Sequence, residues 1–181
     1  MRYNNPMTEY ATNALILDRE AVGDVDSRIV LYTELLGKVT ARATAARKIV
    51  SKLGSHLEPL RFGQIRLVEK NGMRIADALT EAVFQKSTND LERLELLEVC
   101  RLIAEVVPEK HPDADLWELI VSRRLLGREI LKTLGFDPVH ARCDVCHTPA
   151  PKHFLLREHH YVCARCLHKR IPLKEYFSVS S

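Results

Sequence analysis

The order of patterns along this chain predicts an α+β protein, with a small five-stranded barrel, a helical middle and a metal-holding tail. Three observations carry that prediction. The first eighty residues form short apolar-rich runs, in places alternating apolar with polar, broken by turn residues. Beyond Asp90 the apolar residues fall at three-four spacing, the period of an amphipathic helix. Near the C-terminus stand two Cys-x-x-Cys pairs, Cys143/Cys146 and Cys163/Cys166, separated by sixteen residues.

The elements follow in order. Residues 11–17 make a first apolar strand, ended by the polar turn Gly23-Asp24. Residues 27–36, rich in Ile, Val, Leu and Tyr, make a second, ending at Gly37. Residues 38–45 alternate strictly, with Val39, Ala41, Ala43 and Ala45 on one face and Lys38, Thr40, Arg42 and Thr44 on the other. Residues 47–54 form a short helix or a loop. Residues 60–69 and 73–79 flank Asn71-Gly72, a strong hairpin signal. Five short strands with a break after the third suit a Greek-key barrel of the OB type.

The middle opens at the cap candidates Asn89 and Asp90. Leu91, Leu94, Leu97, Cys100, Ile103 and Val107 supply one helix face, and Pro108 ends it. Asp113 then caps a second helix that runs through Trp117, Ile120, Leu125 and Ile130 to Leu134, with Gly135 as its stop. The expected units are therefore 1–80 (barrel), 81–140 (helical) and 141–181 (zinc module and tail).

A net charge of +3 conceals blocks of opposite sign. Residues 37–70 hold eight bases against two acids, residues 80–118 ten acids against four bases, and residues 119–181 eleven bases against five acids. An acidic middle between two basic regions points to a polyanion partner for the basic parts. The plainer account is solvated helix and strand faces.

The start, Met1-Arg-Tyr-Asn-Asn-Pro6, is polar with no apolar run behind it, so neither a signal peptide nor a membrane span is expected. A cytosolic setting keeps thiols reduced, and paired cysteines there more often bind metal than form disulfides. Zinc is the leading ion for Cys143, Cys146, Cys163 and Cys166, with disulfides or an iron–sulfur cluster as the other chemistries. Four thiolates fill a tetrahedral ion and leave no position for water, which favours a structural over a catalytic metal. His140, His147, His153, His159, His160 and His168 stand nearby and could replace a cysteine, though none is needed. Cys100, inside the leucine-rich helix, reads as a small buried hydrophobe.

A zinc deaminase also uses Cys-x-x-Cys, and His56-Leu-Glu58 matches its His-x-Glu element. That motif needs proline before the first cysteine, where this chain has Arg142 and Val162. No phosphate loop, dinucleotide fingerprint, nucleophile elbow or His-Glu-x-x-His is present, so ATP-driven and common hydrolytic activities are not expected. The basic strand is the better functional candidate. Lys38 and Arg42 on one face, followed by Arg47, Lys48 and Lys52, would neutralise phosphates on the usual nucleic-acid face of an OB barrel. Tyr32 would stack on a base or, as favoured here, fill the core. Arg124, Arg128 and Lys132, at spacings of four on the second helix, form a further cationic stripe: a solvated face, a second polyanion contact or a dock for an acidic peptide.

These residues resemble the RecO family of bacterial recombination mediators. The likeness is clearest in Gly23-Asp-Val-Asp-Ser-Arg-Ile-Val-Leu-Tyr-Thr-Glu-Leu-Leu-Gly-Lys38. It continues in Ala46-Arg-Lys48, Ser51-Lys-Leu-Gly54, Leu57-Glu-Pro-Leu60 and Leu134-Gly-Phe-Asp-Pro138, leading into the first cysteine pair. The resemblance implies an N-terminal OB barrel, a helical domain and, in many members, a zinc module. It also implies a non-enzymatic protein of the cytoplasm and nucleoid that binds single- and double-stranded DNA and anneals complementary strands. With RecR, such proteins help RecA replace single-strand-binding protein (SSB). DNA contacts would fall to Lys38, Arg42, Arg47, Lys48 and Lys52. The SSB tail would dock on the helical domain, where Arg124, Arg128 and Lys132 are candidates. Three departures stand out. Thr44-Ala45 replaces the Lys-Gly common before Ala-Arg, the helical stretch before the zinc module is short, and fifteen residues follow Cys166 where relatives continue into further helices. The competing readings are a protein-interaction adaptor with little DNA binding of its own and, behind it, a zinc deaminase or hydrolase.

Overall fold

A computed structural model describes residues 6–44, 46, 53–84, 90–167 and 175–179. Five strands, β1 (Thr8–Val22), β2 (Asp26–Thr33), β3 (Gly37–Ala43), β4 (Arg61–Glu69) and β5 (Met73–Val83), close into a barrel in the order β1-β2-β3-β5-β4. This is the expected OB-type barrel. All neighbours are antiparallel except β3 and β5, which meet in parallel at Arg42 and Arg74.

β1 is longer than its apolar run suggests because it serves two partners. Thr8–Leu15 pairs with β4 and Ala14–Val22 with β2, with a bulge between Ile16 and Asp18. Residues 14–17 are buried in succession: Ala14 and Ile16 join the barrel core, while Leu15 and Leu17 pack in the core shared with the helices. β2 ends three residues before the expected Leu36. The Thr33 hydroxyl accepts from the Leu36 N–H at 3.0 Å and donates to the Gly37 carbonyl at 3.0 Å, closing a turn. β3 alternates as expected, with Val39, Ala41 and Ala43 buried and Arg42 exposed. The Asn71-Gly72 hairpin joins β4 to β5, with Gly72 at a φ of 115°.

α1 (Asp90–Val106) ends before Pro108 as expected, but only the C-terminal half of the expected face is buried. Cys100, Ile103 and Val107 pack inside with Val99, Leu102 and Val106, whereas Leu91 and Leu94 are exposed and Leu97 is half-buried. Asn89 lies outside the described residues. The second expected helix is two helices, α2 (Ala114–Val121) and α3 (Gly127–Thr133). Asp113 caps α2 as predicted, accepting from the Leu116 N–H at 2.8 Å. The break is a Schellman turn: Arg123 sits at a φ of 58°, its N–H bonds to Ile120 O, and the Arg124 N–H bonds to Leu119 O. An arginine fills the position where glycine is usual, so the sequence carries no stop signal. Gly135 ends α3 by the same device, at a φ of 87°.

The tail holds β6 (His153–Leu155), β7 (His160–Val162), the short α4 (Ala164–Leu167) and β8 (Tyr176–Ser178), with sheet order β7-β6-β8. Strands of three residues carry too little pattern to be read from sequence. One apolar core fills the barrel around Ile29, Leu31, Leu57 and Leu67. A second joins all three expected units. Leu15, Leu17 and Tyr32 from the barrel meet Leu102, Leu116 and Ile130 from the helices, and Phe154, Tyr161 and Phe177 from the tail. Tyr32 belongs to this core, fully buried, with its hydroxyl accepting from the Asp113 N–H at 2.9 Å. It is a packing residue and presents no ring for a base.

Candidate metal centre and nucleic-acid face

The two cysteine pairs are carried on matching turns. After Cys143 the chain folds back, the His147 N–H bonding to the Cys143 carbonyl at 2.8 Å. Cys163 starts a turn into α4, the N–H of Cys166 bonding to its carbonyl at 3.0 Å. The β6–β7 hairpin returns the chain between them, and the Asp144 N–H grips the Tyr161 carbonyl of β7 at 2.9 Å. As a result the sulfurs of Cys143, Cys146, Cys163 and Cys166 all lie within 4.8 Å of one another. Cys146 Sγ and Cys163 Sγ are 3.6 Å apart. A tetrahedral ion with metal–sulfur bonds of about 2.3 Å has sulfur–sulfur edges of about 3.8 Å, so the cluster fits one ion. A disulfide would need about 2.05 Å.

The surroundings also favour thiolate. The Cys163 N–H points at Cys143 Sγ at 3.3 Å. At Cys143 burial pushes the thiol up, but amide donors from Cys163, Cys146 and Val145 outweigh it and the net direction is down. The Thr148 hydroxyl and amide draw Cys146 down to about 5. Cys166 goes the other way, to about 12, because its hydrogen bonds with the Cys146 and Cys163 sulfurs, and then burial, favour the neutral thiol. Four sulfurs so placed ionise together only around a cation. No histidine joins the cluster among the described residues, and His168 lies outside them.

The module is bound to the rest of the chain. Phe154 is fully buried, with its ring centroid 5.0 Å from those of Phe136 and Tyr161. The Tyr161 hydroxyl donates to the Phe136 carbonyl at 2.7 Å.

His56 and Glu58, the deaminase-like pair, are used elsewhere. His56 Nδ1 accepts from the Thr80 N–H at 3.1 Å, and Glu58 pairs with Arg19, which also donates to the Gly54 carbonyl at 2.8 Å. Neither residue is in the metal cluster.

On the basic strand, the structure separates the candidates. Lys38 Nζ donates to the Ala104 carbonyl in the last turn of α1 at 2.6 Å, and burial pushes its ammonium down from the ordinary value. It is a helix cap as much as a surface charge. Thr40 bonds to Glu109, and the Lys110 N–H bonds to the Lys38 carbonyl at 2.8 Å. The segment between α1 and α2 therefore lies against the outer face of β3. Gly37 permits this close approach: a Cβ there would stand 2.4 Å from the His111 carbonyl oxygen, and its φ is 67°. Arg42 is exposed and forks onto Asp26 Oδ2 at 2.6 and 2.9 Å. Arg47, Lys48 and Lys52 lie outside the described residues.

One cation escaped the sequence reading. Arg74 of β5 stands opposite Arg42 at the closing seam, is exposed, and forms no ion pair among the described residues. The alternation of residues 73–79 carried the signal, since it puts Arg74 and Ile75 on opposite faces.

The stripe on the second helix is also altered. Arg124 sits in the turn between α2 and α3, and only Arg128 and Lys132 share a helix. Arg128 Nε lies 3.5 Å from Glu129. No helix among the described residues is long and apolar enough to cross a membrane.

Residues 7–87, the barrel and its flanks, match the family model described as "Recombination protein O N terminal". Over 174 residues the chain is 26% identical to the DNA repair protein RecO of Thermodesulfovibrio yellowstonii, covering 87% of this chain and 70% of that protein. It is likewise 26% identical to the DNA repair protein RecO of Clostridium perfringens, covering 86% and 71%, and to that of Pelobacter propionicus, covering 84% and 70%.

Proposed function

We propose that the chain, whose residues 7–87 match the recombination protein O N-terminal model and which is similar to DNA repair RecO proteins, is a non-enzymatic DNA-binding mediator of recombinational repair that anneals complementary strands. The observation that carries this reading is the exposed Arg42–Arg74 seam, from which the chain continues into the basic run Arg47, Lys48 and Lys52. Cations along one side of the barrel would hold the phosphate backbone and screen the repulsion between two strands, which favours pairing without ATP. Lys38 contributes to the field from a half-buried position. Binding on this footing is salt-sensitive and indifferent to sequence.

One Zn2+ held by Cys143, Cys146, Cys163 and Cys166 would act structurally, since four thiolates leave no open position. In the cytoplasm, at the nucleoid, the protein would work with RecR to help RecA displace SSB. Arg124, Arg128 and Lys132 are offered as the contact for the acidic SSB tail, now as a turn residue beside a helical pair.

The test is an anisotropy titration of labelled single-stranded oligonucleotide across a salt series, paired with an annealing assay run with and without SSB. Arg74→Glu is expected to weaken DNA binding about tenfold and flatten the salt slope by about 1. Arg74→Glu binding DNA as the parent does, with annealing intact, would sink this reading. The adaptor reading would then stand, favoured by the cover that residues 109–111 lay over β3 and by the neutralising of Arg42 by Asp26.

A further inference from the structure

A groove of about 930 Å3 opens along α1, between that helix, the turn before α3, and β8. Its floor is apolar and well packed, with Val99, Leu125 and Phe177 each no more than 5% exposed. Phe177 closes it against Gly127, where a Cβ would stand 2.2 Å from the ring. The lip is apolar too but open to water: Leu91 is 69% exposed, Leu94 57% and Leu126 56%. Three large aliphatic side chains around one concavity mark a surface with an occupant rather than scattered exposure.

The lining decides what kind of occupant. Glu95, Glu98 and Glu105 border the groove, with Arg101 as the one base among the described residues. Arg101 is already engaged, bonded to Glu98 and donating to the Tyr176 carbonyl at 2.9 Å. The groove is therefore acidic on a chain whose net charge is +3. From Leu91 to Glu105 the wall of α1 rises about 21 Å, the length of about fourteen helical residues. A straight helical wall of that length, with Leu91 and Leu94 three apart, matches the ridges of another helix. A second copy offering its own α1 would bring the same carboxylates face to face, which two-fold pairing would penalise.

We propose that this groove receives an amphipathic helix of a partner protein, with leucine-like side chains on its inner face and lysines or arginines at its edges. The surface is separate from the Arg42–Arg74 seam, so the inference stands apart from the DNA-binding reading.

The test uses two labelled helical peptides with leucine at i, i+3, i+4 and i+7, one with lysine and one with glutamate at the flanking positions. The full chain should bind the leucine–lysine peptide, and salt should weaken the complex. Leu94→Asp, Leu126→Asp and Glu95→Lys should each weaken it about tenfold. These side chains are exposed, so the variants should keep the parent's circular dichroism and DNA affinity. Any of three results would overturn the proposal: no binding of the lysine peptide, equal or tighter binding of the glutamate peptide, or Leu126→Asp without effect. A concentration-dependent dimer that Leu94→Asp dissolves would also overturn it, by naming a second copy as the occupant.

Discussion

Lys38 shows how one side chain can serve two structural levels. Read from sequence, it is a phosphate contact at the start of a basic strand. In the fold its ammonium caps the Ala104 carbonyl, a group that α1 cannot satisfy internally. Lys38→Ala should therefore cost about 1–2 kcal/mol in a urea titration, whatever it does to DNA affinity. Burial depresses the Lys38 ammonium below its ordinary 10.5. The unfolded chain then holds that proton more tightly than the folded one, so this site adds stability as pH climbs from the lowered value towards 10.5. Lys38→Met should abolish that alkaline gain, measurable as the difference between two pH–stability curves. Glu109 is the neighbour that competes for the same strand face. Removing its charge with Glu109→Gln should raise single-stranded DNA affinity about threefold at low salt, checked by anisotropy. Alternation in residues 38–45 placed Lys38 and Arg42 on the correct face, but no local pattern could reveal a cap sixty-six residues away in sequence.

At the level of elements, strands and helices were legible wherever burial was one-sided. β3 and the Asn71-Gly72 hairpin could be read directly, because a half-buried strand advertises its period. β1 was read short because its middle is buried from both faces and its ends carry polar residues held by partners on either side. The break between α2 and α3 was invisible because Arg123 occupies a glycine position. Its guanidinium lies 5.5 Å from the Phe84 ring centroid, an attraction that offsets part of the strain. Arg123→Ala loses that contact and keeps the strained φ, whereas Arg123→Gly loses the contact but relieves the backbone. The alanine variant should accordingly be less stable than the glycine variant by about 1 kcal/mol, read from paired urea midpoints. The clustering of the four cysteines was legible from spacing alone. The three-residue strands that bring the two pairs together were not.

For the whole molecule, the decisive fact is that one apolar core draws side chains from barrel, helices and cysteine module alike, while the barrel interior and the cysteine cluster each keep a smaller core of their own. A charge map of the sequence suggests three blocks, whereas the packing joins them through Tyr32, Leu116 and Phe154. Loss of the proposed ion should therefore be felt beyond the tail. On the proposed zinc site, chelation or Cys163→Ser should release one equivalent of zinc in a colorimetric assay and lower the apparent melting temperature of the entire chain. Two separate transitions, with the barrel's unchanged, would show instead that the module is merely appended. The chain's single tryptophan, Trp117, offers a built-in witness. Its ring lies 5.9 Å from Phe62 and 6.3 Å from Tyr32, centroid to centroid, where α2 meets the barrel wall. Its emission is thus a local signal from that one seam. A red shift while circular dichroism held steady would record two intact bodies coming apart, a parting that a global melting curve would average away.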